Sequence, residues 1–275
     1  MNGPGADLVL RRRHGPVLEL CLANPPYNGL TGPLLRAYLD ALEDARLDDA
    51  VRAVVTTSAA DVWCAGGDLG DLAAEAADRD LSDLLHDAVG ETGSLSLADR
   101  QADRLGVGRH VLAMDAFDKP LVAAIGGAAA GGGLALALLH DVRFASDRAV
   151  FTTAFVRIGL ALEMGLSFLL PRLVGPQAAF DLAATGRRVD ADEAHRLGLV
   201  WQVVGHDALA TTALAYARDL ADRPPLGLQL AKRMLRRSWD NRLQEQLELE
   251  WPWQVAAFGS PASRAAIEAF RRRRG

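Results

Sequence analysis

The sequence predicts an α/β fold with a helical C-terminal region. Strand-like and helix-like segments alternate for the first two-thirds of the chain, and helices alone follow. Two glycine-rich segments, Cys64-Ala65-Gly66-Gly67-Asp68-Leu69 and Ile125 to Leu134, each follow a strand-like run and open toward a helix. Glycine at such turns permits positive φ and leaves bare backbone that a ligand can approach.

Leu8-Val9-Leu10 and Val17 to Leu22 read as strands of a hairpin that turns near His14-Gly15-Pro16. Asn24-Pro25-Pro26 ends the second strand, since proline cannot donate to a ladder. Thr31 is the expected N-cap of a helix with Pro33 in its first turn. Leu34, Leu35, Tyr38, Leu39, Leu42 and Ala45 give that helix an apolar stripe. A strand spans 51–57, and residues 70–105 are polar and weakly periodic. Short helices are expected there over 71–78 and 81–89, a loop over 90–94, and an interrupted helix over 96–114. Leu121 to Ile125 is the next strand, Leu134 to Leu139 a short apolar helix, and 142–145 and 150–151 are further strands.

Glu163 to Leu173 is predicted helical, and Pro176 opens the next helix. Asp190-Ala191-Asp192-Glu193 reads as a capping box, and Gly198 as the residue that ends that helix. After a last strand over 199–204 come helices over 207–222, 226–238, 241–257 and 261–273. The expected division is therefore a core over 1–204 and a helical region over 205–275, the latter for oligomerisation and for closing the site.

With half of its 275 residues hydrophobic and 24% charged, the chain has a globular balance. A net charge of −5 argues against a nucleic-acid partner. The basic runs Arg11-Arg12-Arg13 and Arg271 to Arg274 are local, and read as solvated ends or as contacts to a phosphate. The uncharged run from Pro120 to His140 contains five glycines and divides into strand, turn and helix. It is expected to be a core element rather than a membrane span. Cys21 and Cys64 cannot build a disulfide framework and suit a reducing compartment. Met1 to Asp7 has neither the basic nor the apolar region of a secretory leader, so a cytoplasmic location is expected. No metal-ligand spacing and no nucleotide-binding fingerprint stands out.

Two glycine segments of this kind can offer two backbone N–H groups to one developing oxyanion. Their order resembles the crotonase (enoyl-CoA hydratase/isomerase) superfamily, and three further segments extend the resemblance along nearly the whole chain. These are Asn24 to Leu30, Phe151 to Gly159 with Leu170 to Gly175, and Glu193-Ala194 with Gly198 to Val200. The resemblance implies a spiral of ββα turns, C-terminal helices used in a homotrimer or a dimer of trimers, and an acyl-CoA substrate. Coenzyme A would be the substrate's carrier, with no permanently bound cofactor. It also implies that the thioester carbonyl sits between the N–H groups of Gly67 and Gly132, with Ala65, Asp68 and Leu69 as further acyl-CoA contacts.

The chain departs from that pattern where the family's hydratases carry two glutamates, for those positions are Ala135 and Phe155. Neither side chain can shuttle a proton. Glu163 stands where an acid does the chemistry in some family members, among them certain isomerases and a dehalogenase. In an apolar pocket its pKa would rise and it could move a proton between C2 and C4 of an enoyl thioester. The same residue at a helix start could instead serve as a cap. The resemblance leaves hydration, decarboxylation, thioester hydrolysis and a non-catalytic CoA-binding scaffold as alternatives. Tyr27 and Trp63 are expected in the acyl channel or the core, and His140 as a packed histidine. His86 and His110 lie in the variable segment. Lys232 and Arg233 fit CoA phosphate or solvated helix charge.

Overall fold

The computed structural model describes residues 7–68, 70 and 107–273. The helices expected at 71–78 and 81–89, the loop at 90–94, His86 and Leu69 lie outside the described residues. Strands β1 (Val9–His14) and β2 (Val17–Leu22) form the expected antiparallel hairpin. Strands β3 (Ala53–Ser58), β4 (Leu121–Ile125), β6 (Val142–Ser146) and β9 (Gln202–Val204) continue from it in parallel. The six-stranded sheet has the order β1-β2-β3-β4-β6-β9.

A second, smaller layer holds β5 (Ala128–Ala130), β7 (Val150–Thr152) and β8 (Val189–Asp190), in the order β5-β7-β8. Each chain turn adds a strand to the large sheet and then a piece to the small layer. β3 is followed by Cys64, which bridges to Ala129; β4 is followed by β5, and β6 by β7. This alternation is the spiral implied by the resemblance. β5 and β8 were not apparent in the sequence.

Helix α1 (Gly32–Leu47) begins as expected, with the Thr31 side chain accepting from Leu34 N–H and proline in its first turn. Its apolar stripe, including Leu34, Leu35, Tyr38 and Leu42, is buried. Helices α2 (Val107–Ala116) and α3 (Gly132–Leu138) belong to the same side of the sheet. Helices α4 (Leu166–Val174), α5 (Pro176–Thr185) and α6 (Ala191–Leu197) come next. In α6, Asp190 caps the N-terminus through Glu193 N–H and Gly198 closes the helix in the left-handed conformation.

Helix α7 (Leu209–Ala221) lays Leu209, Ala213, Ala217 and Ala221 on the opposite sheet face, against Val55, Val122 and Phe144. Covered on both faces, β4 is buried along its whole length. Helices α8 (Pro225–Arg237), α9 (Leu243–Gly259) and α10 (Pro261–Arg272) complete the chain, and neither α9 nor α10 has a buried residue. The run Pro120 to His140 resolves into β4, β5 and α3, and no described helix is long and apolar enough to cross a membrane.

The basic run at the hairpin is locally neutralised. Arg11 pairs with Asp44, Arg12 with Glu19 and Arg13 with Asp48. Lys232 is neither a solvated charge nor open to a phosphate. Its side chain is largely buried and bonds Asp141 at 2.7 Å and the Lys119 carbonyl at 2.8 Å. Asp141 also accepts from Leu121 N–H at 2.8 Å and from Arg236 at 3.0 Å. One carboxylate thus ties α8 to the start of β4. Burial pushes the Lys232 ammonium down to about 8, and Asp141 opposes that shift.

Replacing Asp141 by Asn leaves a buried ammonium without its counter-ion, at a cost of about 3 kcal/mol. In urea titrations the Asp141→Asn midpoint should fall well below wild type near pH 7. The gap should narrow above pH 8, where Lys232 sheds its proton and the wild type no longer gains from the pair.

Candidate active site

The two glycine segments meet where the small layer passes over α3. Cys64 N–H donates to Ala128 O and Ala130 N–H donates back to Cys64 O, both at 3.0 Å. Leu30 N–H donates to Gly66 O at 2.7 Å, and Ala65 N–H to Tyr27 O at 3.0 Å. Gly131 N–H donates to Thr152 O, which closes the crossing from the β7 side. Among the described residues, the N–H groups of Gly67 and Gly132 are not donors in this lattice.

Close approach is what demands glycine here. Gly66 has φ +89°, and a Cβ on it would lie 2.7 Å from Ala130 O and 3.0 Å from Gly132 N. A Cβ on Gly133 would overlap the Cys64 carbonyl oxygen. Gly132 differs, because its nearest neighbours would be the ends of side chains, Met164 Sδ at 2.9 Å and Leu30 Cδ1 at 3.0 Å.

Asn28 organises the first segment from beneath. Fully buried and with φ +50°, it receives Asn24 N–H on its side-chain oxygen. Its amide donates to Ser58 Oγ, Val62 O and Trp63 O. Asparagine tolerates the left-handed region better than most residues. The Cys64 thiol donates to Asn28 O at 3.1 Å, and burial holds that thiol up near 12, which leaves it unreactive. Trp63 and His140 are core residues, whereas Tyr27 is exposed. His110 is wholly buried beside Tyr38 instead of lying at the surface, and among the described residues neither ring nitrogen has a hydrogen-bond partner.

The positions that carry glutamates in the family's hydratases are closed by apolar groups. Ala135 is fully buried within α3. Phe155 is buried in a 3₁₀ turn (Phe155–Ile158), and its ring edge lies 3.7 Å from where a Cβ of Gly131 would stand. Glu163 follows that turn in irregular, exposed chain. Helix α4 begins three residues later at Leu166, with Gly165 at its N-cap, so Glu163 stands ahead of the first helical turn rather than in it. The next residue, Met164, takes φ +54° and carries its sulfur toward Gly132. Glu163 is therefore one residue from a side chain that touches the second glycine segment. Gly66, the residue before Gly67, comes against Gly132 at the crossing. Ala65 and Asp68 flank it on the exposed side.

The residues missed by sequence reasoning are Asn28 and Met164, and the one available signal was asparagine next to glycine in Asn28-Gly29. Among the described residues no group of three or more His, Cys, Asp or Glu could hold a metal ion.

The enoyl-CoA hydratase/isomerase family model matches residues 12–89 and 87–275. The chain belongs to that family. It is an acyl-CoA enzyme of the crotonase superfamily by this match and by its fold. It is 32% identical over 265 residues to the 1,2-epoxyphenylacetyl-CoA isomerase of Escherichia coli K12, covering 96% of this chain and 95% of that protein. It is also 32% identical over 246 residues to the 2,3-dehydroadipyl-CoA hydratase of the same organism, covering 89% and 88%. The crystal structure of an enoyl-CoA hydratase from Polaromonas sp. JS666 superposes with a TM-score of 0.85 at 29% identity, covering 96% of this chain and 97% of that one. Relatives of nearly equal identity thus carry names of both isomerases and hydratases, so the family alone does not select the reaction.

Two stability predictions follow from this geometry. Ala154, just before the 3₁₀ turn, has φ +58°, a conformation that costs an L-residue about 1 kcal/mol. Ala154→Gly should therefore not destabilise the fold as a helical Ala→Gly would, and urea titrations should give it an unfolding free energy higher by up to that amount. Burial pushes His110 and His140 down to about 4. The unfolded chain takes up these protons near pH 6.5, whereas the fold refuses them until about pH 4. Stability is therefore full above pH 6.5 and falls as the pH drops toward 4, by on the order of 2 kcal/mol per histidine at pH 5. Urea titrations of wild type and His110→Phe at pH 8 and pH 5 should show a smaller loss in the variant.

Proposed function

We propose that this enzyme shifts the double bond of an enoyl-CoA, with Glu163 as proton carrier and the N–H groups of Gly67 and Gly132 as oxyanion donors. The observation that carries the proposal is a glycine crossing whose flanking acid positions are filled by a buried methyl and a buried phenyl ring. Ala135 and Phe155 leave no pair of carboxylates to orient and deprotonate a water. A double-bond shift needs one base and a stabilised enolate, roles that Glu163 and the two N–H groups would fill.

The carboxylate of Glu163 takes a proton from the carbon between the double bond and the thioester, or from its vinylogous position. The electron pair moves onto the carbonyl oxygen as a dienolate. Two backbone donors aimed at that oxygen hold the charge, and each such donor contributes about 3–4 kcal/mol to lowering the barrier. The carboxylic acid then delivers a proton at the other carbon, either the one it took or one exchanged with solvent, so the carboxylate is regenerated.

Coenzyme A travels with the substrate and no other cofactor enters the proposal. Ala65, Asp68 and Leu69 are the proposed contacts of the first segment. We further propose a homotrimer or dimer of trimers in the cytoplasm, with the helical region after residue 204 supplying contacts. This is supported by the apolar side chains that α9 and α10 leave exposed, among them Leu243, Trp251, Phe258 and Phe270.

Proton exchange in deuterated water, followed by NMR with a 3-enoyl-CoA and a saturated acyl-CoA, tests the assignment. Wild type should exchange protons at C2 and C4, and Glu163→Gln should lose roughly a hundredfold or more while still binding the substrate. Exchange surviving in Glu163→Gln moves the base elsewhere. Binding without exchange in the wild type leaves a scaffold or a reaction without an enolate.

A further inference from the structure

We propose that His140 is a positioning residue that sets the Gly132 N–H by locking the far end of α3 to β3 and α1; this rests on the acyl-CoA reading given above. Helix α3 is only seven residues long, about 10 Å from end to end, so it moves as one rigid piece. One end is Gly132, packed between Gly66, Leu30 and Met164. At the other end the last carbonyls have no partner further along the helix and need donors from elsewhere.

The Leu136 carbonyl takes its donor from His140 Nδ1 at 2.9 Å. A carbonyl only accepts, so the ring proton is on Nδ1 and Nε2 of the neutral imidazole is an acceptor. Thr56 Oγ1 lies 2.8 Å from that Nε2, and Tyr38 Oη lies 2.7 Å from Thr56 Oγ1. The shortest contacts make one directed chain. Tyr38 donates to Thr56, Thr56 donates to His140, and His140 donates into α3. Tyr38, Thr56 and His140 are all buried, and hydrogen bonds in such a setting reinforce one another and fix geometry.

Core packing and the Leu139 and His140 N–H groups also hold the helix, but among the described residues no other side-chain bond reaches its carbonyls. Arg143 donates to the His140 carbonyl at 2.7 Å and Arg236 to the Leu139 carbonyl at 3.4 Å. Both act on residues that follow α3. The His140 ring reaches back one turn into the helix, so it sets how α3 is rotated and hence where Gly132 N–H is aimed. A backbone donor has no side chain of its own to adjust, so its aim depends on what fixes the helix that bears it.

The test is the carbonyl stretch of bound, carbonyl-isotope-labelled butyryl-CoA, read by infrared difference spectroscopy. Polarisation in an oxyanion hole moves that band to lower frequency. His140→Phe keeps a ring of similar volume and removes both hydrogen bonds. It should lose most of the wild-type band shift and about tenfold in kcat, with KM within twofold, since small misalignments cost rate steeply. His140→Asn, whose amide can donate from the Nδ1 position, should recover part of both. Thr56→Val should lose part of the shift alone, and little more when combined with His140→Phe; it also serves as the reporter if His140→Phe does not fold. A folded His140→Phe or Thr56→Val protein with the wild-type band and kcat overturns the proposal. Butyryl-CoA bound by wild type with no band shift removes instead the oxyanion reading on which it rests.

Discussion

The crossing of two backbones at Gly66 and Gly133 is the constraint on which the rest of this structure depends. A side chain at either position would collide with main-chain atoms, Ala130 O and Gly132 N in one case and Cys64 O in the other. Main chain cannot swing aside as a flexible side chain can, so the contact is met only by removing the Cβ. Gly127 faces the same situation against the Asp61 carbonyl. These approaches bring β5 and Cys64 within hydrogen-bond range. They draw the small layer over the large sheet and start α3 at the point where the first glycine segment ends. The fold and the candidate site are therefore one feature here, because the contact that closes the spiral also brings Gly66, next to Gly67, against Gly132, the segments that bear the proposed donors.

Elements further from the crossing hold it in place. Asn28 joins the loop before α1 to Ser58, Val62 and Trp63, so the first glycine segment is tied to the end of β3. Non-glycine residues with positive φ occur at Asn28, Ala154 and Met164. Each lies in a segment that leads into the crossing or packs on it. Such conformations persist only where the surroundings over-determine them, and they concentrate at functional sites. At the far side, Asp141 gathers Lys232, Arg236 and the first N–H of β4 directly after the His140 anchor of α3. A half-buried ion pair of this kind contributes little net stability but penalises its own disruption. It suits a place where α8 must dock in one arrangement.

The sequence announced those parts whose cause is local. The hairpin, α1 with its Thr31 cap, the buried strands β3 and β4, and the Asp190 and Gly198 caps of α6 all rest on nearby residues. The parts that escaped it have distant causes. Ala128-Ala129-Ala130 carries no strand preference, and it is extended because β7 and Cys64 pair with it on either side. Glu163 belongs to an apolar run with helical spacing. Gly165, in the left-handed conformation, delays the helix to Leu166 and leaves the acid in irregular chain. Lys232 resembles any surface lysine of an amphipathic helix until Asp141 comes from ninety residues away to meet it. The glycine motifs were legible because close approach of backbone selects one residue type. Asn28 and Met164 were not, since what they touch is set by the crossing itself.

The way this chain departs from its family's hydratases also follows from where the chemistry is held. The proposed oxyanion donors are main-chain N–H groups, and no substitution short of disturbing the glycine crossing removes them. Proton transfer, in contrast, depends on side chains that project from the surrounding walls. Those walls can change one residue at a time without strain, as Ala135 and Phe155 illustrate by filling their positions with well-buried apolar groups. An enolate-stabilising backbone of this kind is compatible with several reactions, and the identity of the wall residues selects among them. The two positions that the resemblance gives to glutamates hold a methyl and a phenyl ring, neither of which can orient water, and in the reaction proposed above proton transfer falls to Glu163. Sequence identity near 32% to isomerase and hydratase alike is what such a division predicts.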